Sequence, residues 1–430
     1  MTNEASGPGM WDTYRRLRAT PLREFPVFLF DVSQEYGPVS TFRVPWRRFY
    51  FLNDPDAVRD VLVTQQAHFT KSEGTHAMRE LLGEGLVTSE EPLHRTMRRI
   101  VQPAFHKSRV AGYMQTMQEY ADAWRPPDGV FDMHAEMMEL TLRIASKTLF
   151  GVDAGEEADR VGRALHEVIE IFPDVLGPLG WIKRRLPFGP TQRLRRARAV
   201  LDGIVMKLIA ARRASGEDRG DALSMLLASR DAQTNEGMSD RQVRDEVMTL
   251  FVAGHETTAN ALTWTWYLLA RNPHCAQELC AKLEHDPQTP YLDAVLHESM
   301  RLYPPVWILG RDAQREVEVG GWRIRKGATV LMSQLVAHRS PRFFDDPRSF
   351  KPERWIPEPA LPPFAFFPFG GGARKCIGDQ FAWSEARIEL GTLAKRYRFE
   401  LADPQTEVVP EPIITLRPSG PVRMRAIAYG

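Results

Sequence analysis

The segment FGGGARKCIGDQFAWSEARIEL, residues 369–390, joins a run of glycines to a cysteine and then to apolar residues that recur at helical spacing from Phe381 onward. Cys376 therefore stands at the N-terminal end of a helix. Backbone N–H groups without helical partners and the positive end of the dipole favour a thiolate there, and Arg374 and Lys375 add positive charge. A small buried thiol in a turn is the ordinary alternative for an isolated cysteine. Glycines followed by a basic residue and a helix also suggest anion binding. The phosphate-cradling pattern GxxxxGK followed by Ser or Thr fails, because Ala373 and Arg374 separate Gly372 from Lys375 and Cys376 comes next. GxGxxG fails too, since Lys375 occupies the third glycine position. The pattern that fits is Phe-x-x-Gly-x-Arg-x-Cys-x-Gly, filled by Phe369, Gly372, Arg374, Cys376 and Gly378.

Upstream of this segment, residues 341–378 carry prolines at 341, 347, 352, 357, 359, 362, 363 and 368, too densely for helix or strand. A long ordered meander of this kind is usually functional. Before it, EVEVGGWRI (316–324) alternates around Gly320 and Gly321, which predicts a β-hairpin. Residues 91 to 300 are dominated by helical periodicity, as in HAEMMELTLRIASKTLF (134–150), LRRARAVLDGIVMKLIAARRA (194–214) and YLDAVLHESMRL (291–302). Near the N-terminus, VSTFRV (39–44) and RRFYFLN (47–53) read as short strands, with a helix starting at Pro55. The fold class expected is mainly α with small β-sheets. The apolar stretch 247–270 contains His255, Glu256 and Asn260 at its middle, which favours a buried helix over a membrane span.

Composition limits the functional classes. Across 430 residues, 56 Lys plus Arg against 55 Asp plus Glu leave a formal net charge of +1, which argues against bulk capture of nucleic acid. With 43% hydrophobic and 26% charged residues, the chain has the composition of an ordinary globular protein. Cys275, Cys280 and Cys376 cannot make a disulfide framework in a chain this long, and no charged-then-apolar signal segment opens it. A reducing, cytoplasmic location follows as the expectation, with no membrane anchor.

The cysteine pattern resembles the haem-binding loop of the cytochrome P-450 family, the haem-thiolate monooxygenases, and three further motifs extend the resemblance over nearly the whole chain. AGHETT (253–258) is similar to the family's oxygen-binding helix, with Glu256 and Thr257 matching its acid and alcohol pair and Ala253 and Gly254 lying against the haem. Burying a carboxylate in an apolar helix is costly unless it is neutralised or hydrogen-bonded, which argues for proton traffic. Thr257 can bond back to the carbonyl of Ala253, and a patch where the helix meets another element is the alternative. In LHESMRLYPP, Glu298 and Arg301 form an ExxR that the family joins to an arginine of the meander, here Arg354 in KPERW, in a structural cluster. In HRTMRR (94–99), His94 and Arg98 share a helical face and match positions that meet the haem propionates, as do Arg311 and Arg374. A solvated basic face is the ordinary alternative for that run.

The resemblance implies haem b held by Cys376 as axial ligand to iron, between a long distal helix and the cysteine loop, in a single haem domain spanning 1–430, with 1–20 flexible and no fused reductase. It implies a monooxygenase that activates dioxygen and oxidises a lipophilic molecule such as a fatty acid, terpenoid, steroid or polyketide. Electrons would come from a ferredoxin or flavodoxin with its reductase, so NAD(P)H acts only indirectly. Matching segments place Thr249, Val252, Ala253, Trp307, Ile308, Leu309, Ile413 and Ile414 around the substrate, and a monomer of soluble bacterial type is expected. Arg374, Lys375, Lys395, Arg396, Arg398, Arg95 and Arg99 would offer a cationic face to an acidic partner. A haem-thiolate sensor without turnover would also need Cys376, but would have no use for Glu256 and Thr257. A haem-free anion-binding enzyme with a redox cysteine is the third reading.

Overall fold

A computed structural model describes residues 3–152, 160–164, 167–168, 171, 190–230 and 236–429. The chain divides into two compact units, neither of which is a continuous piece of sequence. One comprises Met1–Glu73, Thr263–Cys376 and Arg398–Val422; the other comprises Gly74–Leu262, Ile377–Tyr397 and Arg423–Gly430.

The first unit is built on a five-stranded sheet. Its strands include β1 (Val39–Val44), β2 (Arg47–Leu52), β3 (Phe69–Lys71) and β4 (Leu309–Ala313); β5 (Val317–Val319) and β6 (Trp322–Ile324) form the separate hairpin, and β7 (Thr329–Met332) returns to the sheet. The spatial order is β1-β2-β7-β4-β3, with β2 and β7 parallel and the other neighbours antiparallel. Alternation along β2 explains why both faces are covered. Tyr50 and Leu52 point into a cluster with Val58, Val61, Leu62, Val330 and Met332. Phe51 points the other way, joining Phe42 against Phe28, Leu29 and Val32 of the helix Phe25–Tyr36. The hairpin forms where it was expected, with Gly320 and Gly321 at φ of 54° and 78°, as a two-residue turn of matching twist requires. Residues 341–378 contain no strand and only two short 3₁₀ turns, Pro352–Trp355 and Gly372–Arg374, in keeping with their prolines.

Helices make up most of the second unit. Met133–Phe150 packs along the long helix Asp240–Arg271, with the Thr141 hydroxyl donating to the carbonyl of His255 at 3.1 Å and the Phe150 and Phe251 rings stacked 4.1 Å apart. Asp379–Arg396 packs on Lys107–Ala123, where Phe381 meets the rings of Phe105 and Tyr113 edge-on. The long helix passes out of this unit after Leu262, and its last turns belong to the first unit. There Trp264 stacks on Tyr303 and donates its indole N–H to the carbonyl of Leu416.

Near the N-terminus a helix at Met10–Ala19 has Thr13 buried, and Asn3 bridges to Trp322 of the hairpin. The apolar stretch 247–270 lies within the long helix, and among the described residues no helix is long and apolar enough to cross a membrane.

Candidate functional site

The cysteine loop is held by its own backbone and by the segment around Leu62. The Cys376 N–H donates to the carbonyl of Phe369 at 3.0 Å, and the Lys375 N–H to that of Gly372 at 3.1 Å. Gly372 has a φ of +68°, and a Cβ added there would lie 1.8 Å from the carbonyl oxygen of Leu62. Only glycine meets both demands. The Ala373 N–H donates to the side-chain carbonyl of Gln66 at 3.0 Å, and the Phe367 N–H donates to Nε2 of His338, also at 3.0 Å. Fixed in this way, the loop presents the Cys376 side chain exposed, two residues before Gly378 caps the helix Asp379–Arg396. At Gly378 an added Cβ would touch the Phe105 ring at an ordinary 3.6 Å, so nothing in the packing there demands glycine.

In the same unit Glu298 is fully buried and accepts hydrogen bonds from Arg301 twice, from Arg354, from the backbone N–H of Lys351 and from the indole of Trp355, all at 2.8–2.9 Å. Burial alone would raise its pKa, but the hydrogen bonds and charge of Arg301, with the Lys351 N–H and the charge of Arg354, hold it below the usual carboxylate range. Arg301 also donates to the carbonyls of His338, Pro347 and Ser349, which ties the helix Pro290–Leu302 to the meander. The structure thus brings Glu298, Arg301 and Arg354 together. Trp355 escaped the sequence reading, although it adjoins Arg354.

Arg311 lies on β4 directly opposite Lys71 on β3. Lys71 is only 5% exposed and Arg311 is half-buried, so the register sets two cations side by side on one face of the sheet. Lys71 had no signal in the sequence, since its pairing with Arg311 spans most of the chain. The segment after the Pro-Pro turn and the C-terminal segment also meet in this unit: the Trp307 indole donates to the carbonyl of Ile413 at 3.1 Å. Trp307 is buried in doing so, whereas Ile308, Leu309, Ile413 and Ile414 are half-buried.

In the second unit, the centre of the long helix is open on one side. Ala253 is exposed and Val252 and Thr257 are half-buried, although Phe251, His255, Glu256 and Thr258 around them are buried. The Thr257 hydroxyl donates to the carbonyl of Ala253 at 2.8 Å, the back-bond its position predicts. Two expectations are corrected here. A Cβ at Gly254 would touch Leu149 and Ala145 of the neighbouring helix at 3.6 and 3.9 Å, so its bare side faces that helix and not a flat ligand. Thr249 is buried with its hydroxyl against Gly85, where a Cβ would come within 2.1 Å of it, so it packs the loop and does not line the open side. On Leu93–Val101, His94 is buried beside Met97 and Arg98 is half-buried, while Arg95 and Arg99 are exposed, so the first pair shares an inner face.

In the first unit an exposed thiol on a fixed loop and the facing cations Lys71 and Arg311 suit an iron-binding group that carries carboxylates; in the second unit, a helix opened at Ala253 carries an acid and an alcohol together. Comparison with known proteins bears this out. The model of the cytochrome P-450 family matches residues 17–424. Cyclooctatin synthase of Streptomyces melanosporofaciens is 37% identical over 409 residues, covering 90% of this chain and 88% of its own. Cyclooctat-9-en-7-ol 5-monooxygenase of the same organism is 36% identical, with 84% and 83% covered. Pentalenene oxygenase of Streptomyces avermitilis is 32% identical, with 94% and 93% covered. A cysteine loop, an ExxR cluster and an acid-alcohol helix in the order that one family uses, matched along almost the whole length, make this chain a member of the cytochrome P-450 family, a haem b monooxygenase.

Proposed function

We propose that this enzyme oxidises a cyclic terpenoid with electrons delivered by a separate ferredoxin or flavodoxin. The observation that carries the substrate class is the pair of relatives at 37% and 36% identity whose names place them on the cyclooctat skeleton, with pentalenene oxygenase beside them. The apolar side chains of Val252, Ala253, Ile308, Leu309, Ile413 and Ile414, none of them buried, support a hydrocarbon-rich substrate.

Cys376 would ligate the iron, and Lys71, Arg311, Arg374, His94 and Arg98 would meet the carboxylates. The bound haem supplies the activation of dioxygen, with the thiolate donating electron density to iron. The protein's own task is then proton supply and exclusion of water. Glu256, 2% exposed on the long helix, takes up and passes on protons. Thr257 holds its hydroxyl in place by donating to Ala253, which leaves its oxygen lone pairs to accept a hydrogen bond at the open side. Glu298, Arg301 and Arg354 anchor the meander and take no part in the chemistry.

The test is the reduced, carbon-monoxide-bound spectrum, in which a red-shifted Soret band is expected. It is followed by spin-state titration against a terpenoid panel and by product analysis with a surrogate ferredoxin and its reductase. Turnover that falls with ionic strength supports docking on a cationic face. A thiolate spectrum with no substrate-dependent oxygen consumption would return the sensor reading, and spin shifts confined to fatty acids or steroids would overturn the terpenoid one.

A further inference from the structure

The loop after the short helix Arg79–Leu82 is closed on itself by its own polar groups. The Thr88 hydroxyl donates to the carbonyl of Gly83 at 2.6 Å and lies 3.2 Å from that of Gly85. The N–H groups of Thr88 and Ser89 donate to the Gly85 carbonyl at 3.0 and 2.8 Å, and the Arg79 guanidinium donates to the carbonyl of Thr88 at 3.0 Å. Closure of this kind turns the N–H groups of Glu84 and Leu86 outward, where they need acceptors from another element.

Those acceptors are the buried carboxylates of Asp245 and Glu246 on the long helix, about 160 positions away in the same unit. Asp245 accepts from the Glu84 N–H at 2.9 Å and Glu246 from the Leu86 N–H at 3.2 Å. A carboxylate makes the stronger, charge-assisted kind of bond to a backbone N–H. Arg244 beside them donates to Asp245 and to the carbonyl of Leu81, both at 2.9 Å, and to Asp202 at 2.6 Å. From Pro190–Ser215, which carries Asp202, Arg198 donates to the carbonyl of Glu80 at 2.6 Å. The loop is thus gripped by two helices at once. The fit leaves no room for a side chain at either glycine: a Cβ on Gly83, at φ +64°, would lie 2.2 Å from the Asp245 carboxylate, and one on Gly85 would lie 2.6 Å from the Asp245 carbonyl oxygen. Gly85 also touches Thr249, and Val252 and Ala253 follow Thr249 by three and four residues, on the same helical face. The loop therefore abuts the long helix one turn before its open side, with Leu86 buried and Val87 half-buried.

We propose that Asp245 and Glu246 are positioning residues that pin Gly83–Val87 as a preformed wall beside the open side of the long helix, and that this fixed wall, not a closing cover, restricts which carbon of the substrate is oxidised. The proposal rests on the reading that the enzyme oxidises a cyclic terpenoid. A hydrocarbon skeleton offers few polar groups by which to be oriented, so the shape of fixed surroundings must select among its C–H bonds. A wall that is ordered before the substrate arrives also costs no ordering entropy on binding.

The experiment measures hydrogen–deuterium exchange of peptides covering 81–89 in the haem-loaded enzyme, with and without a terpenoid that shifts its spin state, together with the distribution of products. Wild type is expected to exchange these amides slowly without substrate and equally slowly with it. Asp245→Ala and Glu246→Leu should exchange them severalfold faster and scatter oxidation over more positions, with an unchanged carbon-monoxide spectrum. Glu246→Gln keeps an oxygen that can accept from Leu86 and should restore most of the protection and the selectivity, which a loss of packing alone would not do. Thr88→Val loosens the loop from within while leaving the long helix untouched, and it should show the same two changes even where a helix variant fails to fold. Fast exchange in wild type that slows only when substrate binds overturns the fixed wall, and wild-type exchange in Asp245→Ala and Glu246→Leu overturns the role of the carboxylates. Faster exchange with an unaltered product distribution overturns the control of selectivity. If wild type turns over no terpenoid, the functional reading has failed, while exchange in the substrate-free enzyme still decides whether the loop is pinned.

Discussion

A methyl group on Gly372 would enter space that the Leu62 carbonyl already fills, on a backbone at φ +68°. Backbone strain of this kind costs about 1–3 kcal/mol before the clash is counted. Gly372→Ala is therefore expected to loosen the cysteine loop and lose haem during purification, measured as the ratio of Soret to protein absorbance. Gly378→Ala serves as the control and should retain haem, because its Cβ meets only the Phe105 ring at contact distance. Thr257→Ala removes a hydroxyl fixed by one hydrogen bond to Ala253 and leaves the fold intact. It should keep its haem and divert reductant into hydrogen peroxide, read as peroxide formed per NAD(P)H; undiminished coupling would defeat the proposed role of Thr257. The motif Phe-x-x-Gly-x-Arg-x-Cys-x-Gly located these residues in the sequence. It could not show that Gly372 is held by Leu62 and Gln66, since that contact joins parts of the chain about three hundred positions apart.

Among the elements, Pro290–Leu302 and the meander are joined through one carboxylate. Glu298→Gln leaves Arg301 and Arg354 without their shared counter-charge, and breaking a buried pair from one side costs about 3–5 kcal/mol. The expected result is a large drop in the denaturation midpoint with poor haem incorporation. Trp355→Phe removes one hydrogen bond to the same charged group and should cost less, about 1.5–3 kcal/mol, on the same measurement. Elements with local signals were legible in the sequence: β1 and β2 as short strand-like runs, the hairpin by its alternation around Gly320 and Gly321, Met133–Phe150 and Pro290–Leu302 by their period. Pairings between distant elements left no trace there. Lys71 opposite Arg311, and Thr249 packed against Gly85, follow from strand register and helix rotation, which no local pattern encodes.

For the molecule as a whole, buried titratable groups set the response to pH. His255 is pushed down to about 4 by burial, against its hydrogen bond to Phe251, and His338 to about 3 by burial and then the charge of Arg301. Both are neutral when folded and take up protons on unfolding below their ordinary value of 6.5. Their stabilisation is complete above that pH and fades as pH falls, by about 1.4 kcal/mol per pH unit for each histidine. Glu298, held low, adds the same sign of loss below its ordinary value of 4.5. Glu385 and Glu389 act in the opposite sense, because they ionise on unfolding above 4.5 and cost stability as pH rises toward their raised folded values. Between about pH 6.5 and 4.5 the two histidines and these two glutamates offset each other, so thermal midpoints should stay nearly level there and fall on acidification below about pH 4.5, where only the losses at the histidines and Glu298 remain. In His338→Gln the acid-side slope should shrink by about one proton, and an unchanged slope would contradict the assignment.

The division of the chain has a consequence for biosynthesis. The first unit draws on Met1–Glu73 and waits for Arg398–Val422, and the second is completed by Arg423–Gly430. Neither can close on a ribosome-bound chain until residues beyond Arg398 have emerged, so the early segments emerge without their final partners. Long-range closure of this kind is slow relative to local helix formation. Stable insertion of haem is accordingly expected only after residues 398–430 have emerged, and chains cut short before them are expected to go to chaperones and proteases without the cofactor.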